Sequence, residues 1–185
     1  MKVLVVSDSH GDSGTIRNLV DRYKHEVETV IHLGDNARDL IRFDADYPEI
    51  NFVAVAGNCD YGTSLLSERI LTIGTTQKRR VLLLHGHSLN VKSNLNRLMY
   101  YAQEKNVDAC LYGHSHMPFL HVDEPVFTPV GNSNAISACI HSKAVRPLFI
   151  MNPGSTSEPR GGSVASYGIL SIDDEGNITG EIIKL

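Results

Sequence analysis

The sequence predicts an α/β protein built on a parallel sheet, on three observations. Apolar runs of strand length alternate with amphipathic, helix-length segments through the first third of the chain. Those runs are continuously apolar, as in strands buried on both faces. Several of them break abruptly into Asp, Asn, His and Gly. A parallel strand delivers such residues to the carboxyl edge of its sheet, where ligands bind in open α/β folds.

The first run, Val3-Leu4-Val5-Val6, leads into Ser7-Asp8-Ser9-His10-Gly11-Asp12. Asp8 and His10 are two apart, so on a strand they point the same way. Ser13 is placed to cap a helix running to about Lys24, with Ile16, Leu19, Val20 and Tyr23 on its core face. Thr29 to Leu33 is a second strand ending at Gly34-Asp35-Asn36. A short helix around Asp39-Leu40-Ile41 stops near Pro48, and Asn51 to Val55 forms a third strand ending at Gly57-Asn58-Cys59-Asp60.

The second half has a different rhythm. Arg69–Ile73 and Arg80–Leu84 flank the polar turn Thr75-Thr76-Gln77-Lys78 and predict an antiparallel hairpin running into His85-Gly86-His87. Ser93–Gln103 predicts a helix with Leu95, Leu98, Met99 and Ala102 on one face. Val107–Tyr112 is a strand ending at Gly113-His114-Ser115-His116. The stretch from His121 to Pro147, holding Pro125, Pro129, Gly131 and Asn132, reads as a long loop or loose hairpin. Leu148–Met151 is a short strand before Asn152-Pro153-Gly154-Ser155. Val164–Ile172 and Ile178–Ile183 close the chain as a hairpin through Asp174-Glu175-Gly176-Asn177.

The 185 residues fit one domain, 1–185, without a linker or internal repeat. A net charge of -4 gives no general reason to expect nucleic acid or an anionic membrane as a partner. Charges interrupt every apolar run, so no segment is long enough to span a bilayer. Cys59, Cys110 and Cys139, with no signal peptide, fit a reducing cytoplasm. Of nine histidines, His85, His87, His114 and His116 fall in two short clusters, while His25, His32, His121 and His141 read as ordinary. Cys110 and Cys139 read the same way.

Five strands thus end in Asp8-x-His10, Gly34-Asp35, Gly57-Asn58, His85-Gly86 and Gly113-His114-x-His116. Strand ends in one sheet converge at one edge, so these side chains are expected to meet in space. Taken singly, each has a structural explanation as a turn or a hydrogen-bonded histidine. Together they predict a metal site. Asp8, His10, Asp35, Asn58, His85, His114 and His116 are too many ligands for one ion that keeps open positions, so two ions sharing a carboxylate are expected, about 3.5–4 Å apart. Imidazole, carboxylate and amide donors suit Mn²⁺, Fe²⁺, Co²⁺, Ni²⁺ or Zn²⁺ better than Mg²⁺ or Ca²⁺. Without a thiolate cluster, structural zinc is not expected.

In this order, the motifs resemble those of the calcineurin-like metallophosphoesterase superfamily, and within it the small YfcE-type phosphodiesterase branch. Asn152-Pro153-Gly154-Ser155 and Pro159-Arg160 resemble that branch's late motif. The resemblance implies a four-layer α/β/β/α sandwich with two central mixed β-sheets. It implies that Asp8, His10, Asp35 and His116 hold one ion and that Asp35, Asn58, His85 and His114 hold the other. It also implies two divalent cations, Mn²⁺ foremost, a small phosphodiester substrate and a metal-bridging hydroxide as nucleophile. No Ser or Cys nucleophile motif suggests a covalent intermediate. A homo-oligomer remains open.

One position departs from the superfamily pattern. Where many members carry a histidine serving the leaving group, this chain has Cys59, as the YfcE-like branch often does. A neutral thiol donates weakly, so Cys59 reads as a space-filler ahead of a catalytic thiol. His87 is a candidate acid or phosphate contact, or else orients His85. Asn36 and Arg160 are candidate phosphate contacts. The expected catalytic set is therefore Asp35, Asn58, Cys59 and His87. Competing readings are a phosphomonoesterase or phosphoprotein phosphatase, which usually carries the missing histidine, and a non-catalytic scaffold like the retromer's vacuolar-sorting subunit. Such scaffolds typically lose ligands that are all present here.

Overall fold

A computed structural model describes residues 1–122 and 147–185. Among them are ten strands. β1 (Lys2–Val6), β2 (Thr29–His32) and β3 (Asn51–Ala54) run parallel, and β9 (Ser166–Ile172) and β10 (Ile178–Lys184) extend that sheet antiparallel, in the order β10-β9-β1-β2-β3. In the second sheet, β5 (Arg79–Leu84), β6 (Ala109–Tyr112) and β8 (Phe149–Asn152) are parallel. Its edges are antiparallel β4 (Glu68–Ile73) and β7 (Phe119–Val122), giving β4-β5-β6-β8-β7.

The two-residue period of the strands decides the layers. Val3, Val5, Ile31 and Leu33 face Val81, Leu83, Leu111 and Met151, forming one apolar core between the sheets. The alternate residues Leu4, Val6 and Val30 face outward, where α1 (Ser13–Tyr23) covers them with Ile16, Leu19 and Val20, and α2 (Phe43–Asp46) adds Phe43. On the opposite side Leu82, Leu84, Cys110 and Ile150 pack under α3 (Asn96–Glu104), through Leu98 and Ala102. Three cores separate four layers, the α/β/β/α sandwich with two mixed sheets. Because helices cover both central sheets, their parallel strands need no polar face, which is why they read as unbroken apolar runs.

The structure moves several expected boundaries. Asp12, not Ser13, caps α1: its Oδ1 accepts the Thr15 N–H at 3.0 Å. Around residue 40 there is a 3-10 turn, Ala37–Leu40, followed by α2, in place of one short helix. The strand β7 falls at 119–122, so His121, expected to open a long loop or loose hairpin, lies in an edge strand. The rest of that expected loop, with Cys139 and His141, lies outside the described residues. The ligand-bearing ends also do not belong to one sheet. β1, β2 and β3 bring three from the first sheet and β5 and β6 bring two from the second, converging across the sandwich. Among the described residues no helix is long and apolar enough to cross a membrane.

Candidate metal centre

Each parallel strand delivers its polar residue just as the chain turns off the sheet, and that turn is conformationally demanding. Asp8, His10, Asp35, Asn36, His114 and His116 all adopt positive φ, between 45° and 69°. For non-glycine residues this left-handed backbone costs about 1–2 kcal/mol each. Strain concentrated in one place is a mark of a functional site. The glycines between these residues allow the close approach of the loops. A Cβ on Gly57 would lie 2.3 Å from both the backbone N and Oδ1 of Asp35, and one on Gly113 would lie 2.1 Å from Ser7 Oγ.

The result is two overlapping groups of ligand atoms. Oxygen and nitrogen atoms of Asp8, His10, Asp35 and His116 all lie within 4.8 Å of one another, as do those of Asp35, His85 and His114. Asp35 belongs to both. Asn58 completes the second group, its Oδ1 3.2 Å from His85 Nε2. All seven residues expected as ligands are therefore brought together.

The tautomers of two histidines aim lone pairs into the cluster. His85 Nδ1 donates to the Leu33 carbonyl at 2.7 Å, because a carbonyl can only accept. In the neutral ring, Nε2 then presents a lone pair to Asn58 Oδ1, to Asp35 Oδ1 at 3.3 Å and to Asp8 Oδ1 at 3.9 Å. His116 behaves alike. Its Nδ1 donates to the Glu158 carbonyl at 2.6 Å, turning Nε2 toward Asp8 Oδ1 at 3.2 Å and His10 Nε2 at 3.4 Å. Asp8 Oδ1 is buried without a hydrogen-bond partner, although its neighbour Oδ2 accepts from Ser7 Oγ and the His114 N–H. Acceptors converging on a buried, unsatisfied oxygen fit a divalent cation.

The titration behaviour of the residues agrees. Burial favours neutral Asp8 and Asp35, yet the neighbouring histidines outweigh it and hold both carboxyls below the usual range. Burial opposes charge on His85, but Asp35 and Asp8 overcome it and raise that ring. The pocket attracts positive charge. His114, by contrast, is pushed down to about 4 by burial and by His85, leaving it a neutral donor.

Cys59 lies beside this centre. Its N–H donates to Asp35 Oδ1 at 2.8 Å and its Sγ accepts from Asn58 Nδ2 at 3.3 Å. Burial, then Asp35, pushes the thiol up to about 11, so it is protonated at neutral pH. His87 is exposed, its ring centroid 5.6 Å from that of His85 and 6.1 Å from that of His114, and its side chain makes no hydrogen bond among the described residues. Asn36 is half-buried next to Asp35. Arg160 is exposed, and its backbone N–H donates to the His116 carbonyl at 3.3 Å.

Sequence reasoning missed the residues that brace the candidate ligands. Asp60 accepts the N–H groups of Asp35 (2.9 Å), Ala37 (2.8 Å) and Gly57 (2.8 Å), tying two ligand loops together. The acidic residue closing Gly57-Asn58-Cys59-Asp60 was the available signal. His32, read as ordinary, is wholly buried in a relay. Gly34 N–H donates to its Nδ1 at 3.1 Å, its Nε2–H donates to Ser9 Oγ at 2.8 Å, and Ser9 donates to Asp39 at 2.6 Å. The late motif also acts from behind. Ser155 Oγ donates to the Asp8 carbonyl at 2.7 Å, and Asn152 Nδ2 donates to the Gly113 carbonyl at 2.9 Å.

The model of the calcineurin-like phosphoesterase superfamily domain matches residues 1–175. A probable metallophosphoesterase of Bacillus subtilis, YsnB, is 30% identical over 176 residues, covering 95% of this chain and 86% of its own. The Escherichia coli phosphodiesterase YfcE is 30% identical over 195 residues, covering 94% and 89%. Among solved structures, a predicted phosphoesterase of Streptococcus pneumoniae superposes with a TM-score of 0.72 at 29% identity, over 99% of this chain and 88% of that one. Entamoeba histolytica Vps29, solved with Zn²⁺, shares the fold with a TM-score of 0.61 at 22% identity, over 99% and 98%.

Proposed function

This chain belongs to the calcineurin-like phosphoesterase superfamily, and from that premise we propose that it is a phosphodiesterase of the YfcE type carrying two divalent ions. Asp8, His10, Asp35 and His116 would hold one ion, and Asp35, Asn58, His85 and His114 the other, with Asp35 shared. The observation that carries this reading is the pair of ligand groups meeting at Asp35, with the unpartnered Asp8 Oδ1 beside them. Mn²⁺ is the first choice of metal for this mixed imidazole, carboxylate and amide set, with Ni²⁺, Fe²⁺, Co²⁺ and Zn²⁺ as alternatives. When bound, the ions would act as Lewis acids toward water and the phosphate oxygens.

The chain's own groups set the rest. The Nδ1–H bonds of His85 and His116 to backbone carbonyls keep both Nε2 lone pairs aimed inward. Hydrolysis adds water to phosphorus and breaks one ester P–O bond, so the departing oxygen needs a proton or must leave as an anion. Cys59, a protonated thiol with weak donor strength, is a poor proton source, and exposed His87 touches the rings of His85 and His114 without a hydrogen bond to fix it. The site therefore suits diesters with good leaving groups, and Cys59 fills space beside Asp35. The reading places the protein in the cytoplasm, acting on a small substrate.

The test is metal analysis followed by assay of bis-aryl and mono-aryl phosphates. Diester turnover should exceed monoester turnover, vanish in Asp35→Ala and His116→Ala, and return when Mn²⁺ is added to chelated wild type. Faster monoester turnover would favour the phosphomonoesterase reading. A protein that binds metal but turns over neither ester would favour a scaffold.

A further inference from the structure

A groove lined at one end by Cys59, whose N–H donates to Asp35 of the candidate centre, runs along the outer edge of the first sheet. It encloses about 660 Å³, within the range of small-molecule sites. Its floor is Phe52 and Ala54 on the edge strand β3, one wall is the 37–44 segment, and the other is the 59–65 loop. The Ala56 N–H donates to the Leu66 carbonyl at 2.8 Å and folds that loop back over the groove.

Two chemistries meet in this groove. Tyr61 is 91% exposed and Ile41 68% exposed, with Leu40, Phe52 and Leu65 alongside, so an unusually apolar surface faces solvent beside a charged centre. Arg38, Arg42 and Arg69 also line it, and their guanidinium groups take no hydrogen bond or ion pair among the described residues. Of the two acids present, Asp60 spends its carboxylate on three backbone N–H groups, leaving Asp44 as the only one facing three cations. In a chain of net charge -4, that is a local excess of positive charge.

We propose that this groove binds one ester arm of the substrate, an arm made of an aryl or heteroaryl group that ends in a second anionic group. The ring packs on Phe52 and Tyr61, and the terminal anion takes the fork-shaped donors of Arg38, Arg42 and Arg69. Cys59, a small side chain, lines the groove at the end beside Asp35. The proposal rests on the phosphodiesterase reading and names the substrate class that reading leaves open.

The experiment compares two diesters that differ only at the end of the arm, 4-nitrophenyl 4-(carboxymethyl)phenyl phosphate and 4-nitrophenyl 4-ethylphenyl phosphate, on the manganese-loaded protein. Wild type should show kcat/KM at least tenfold higher for the carboxylate, mainly through KM. Arg38→Met, Arg42→Met and Arg69→Met should each shrink that ratio threefold or more. Independently, 4-hydroxyphenylacetate should shift the NMR amide signals of Ala37, Cys59, Tyr61 and Leu65, with the effect weakened by salt and by the same substitutions. Equal kcat/KM for the two diesters, or fragment shifts that map elsewhere, would overturn the groove assignment. Absence of turnover with fragment binding intact would overturn the diesterase reading and leave the anionic aryl site standing.

Discussion

Asp60→Ala tests whether the candidate centre is held by its second ring of contacts. The carboxylate accepts three backbone N–H groups at 2.8–2.9 Å, from Asp35, Ala37 and Gly57. Hydrogen bonds to a charged group contribute about 1.5–3 kcal/mol each. Asp60 is half-buried, so water can replace part of what is removed, and about 3–4 kcal/mol for the set is the reasonable expectation. For a chain of this length, about 1 kcal/mol moves Tm by about 2–4 °C, which places the fall near 10 °C. Asp60→Asn, keeping one acceptor oxygen, should lose about half as much. Asp46→Ala removes only an ion pair with Arg17 between side chains more than two-fifths exposed, and should cost under about 1 kcal/mol.

The assay is urea unfolding of the metal-free protein, paired with calorimetric titration of Mn²⁺. Because Asp60 holds the backbone of Asp35 and the Gly57-Asn58 turn, Mn²⁺ affinity should drop about 10–100-fold. A stability change no larger than that of Asp46→Ala, with unaltered Mn²⁺ affinity, would refute the argument that these three bonds assemble the site.

His32 is wholly buried and pushed down to about 4 by burial, against an unfolded value near 6.5. The unfolded chain therefore binds the extra proton first: stability is complete above pH 6.5 and falls as pH drops toward 4, by about 3 kcal/mol. Unfolding curves at pH 7 and pH 4.5 check this, and His32→Gln should flatten the difference. Gly113→Ala would put a methyl group 2.1 Å from Ser7 Oγ and 2.8 Å from Asp8 Oδ2, so diester turnover should fall at least 100-fold, with a lower Tm. Wild-type kinetics in that variant would mean the β6 turn yields at no cost. Cys59→His should accelerate poor leaving groups more than activated aryl ones. A uniform response across a leaving-group series would remove position 59 from leaving-group chemistry.

Legibility followed physical range. β1, β2, β5 and β6 were readable because their central residues are buried on both faces and apolar, edge strand β3 keeps a shorter apolar run, and all five lead into residues a core excludes. β7 was not, because Phe119–Val122 is an exposed edge strand whose pairing with β8 is written in its partner. The seven expected ligands were legible as chemistry at strand ends. Asp60 and His32 were not, since a carboxylate in a turn and a histidine in an apolar run look the same whether or not they brace anything.

By itself the sequence determined the alternation of strand and helix, the polar residue types that end the strands, and the thiol at position 59. Only the tertiary structure decided that those ends come from two sheets, that Asp35 stands within reach of both ligand groups, and that an arginine-lined groove opens at Cys59. The reason is distance along the chain. Asp8 and His116 meet at 3.2 Å although 108 positions separate them, and no local pattern encodes a contact that exists only once both sheets have packed.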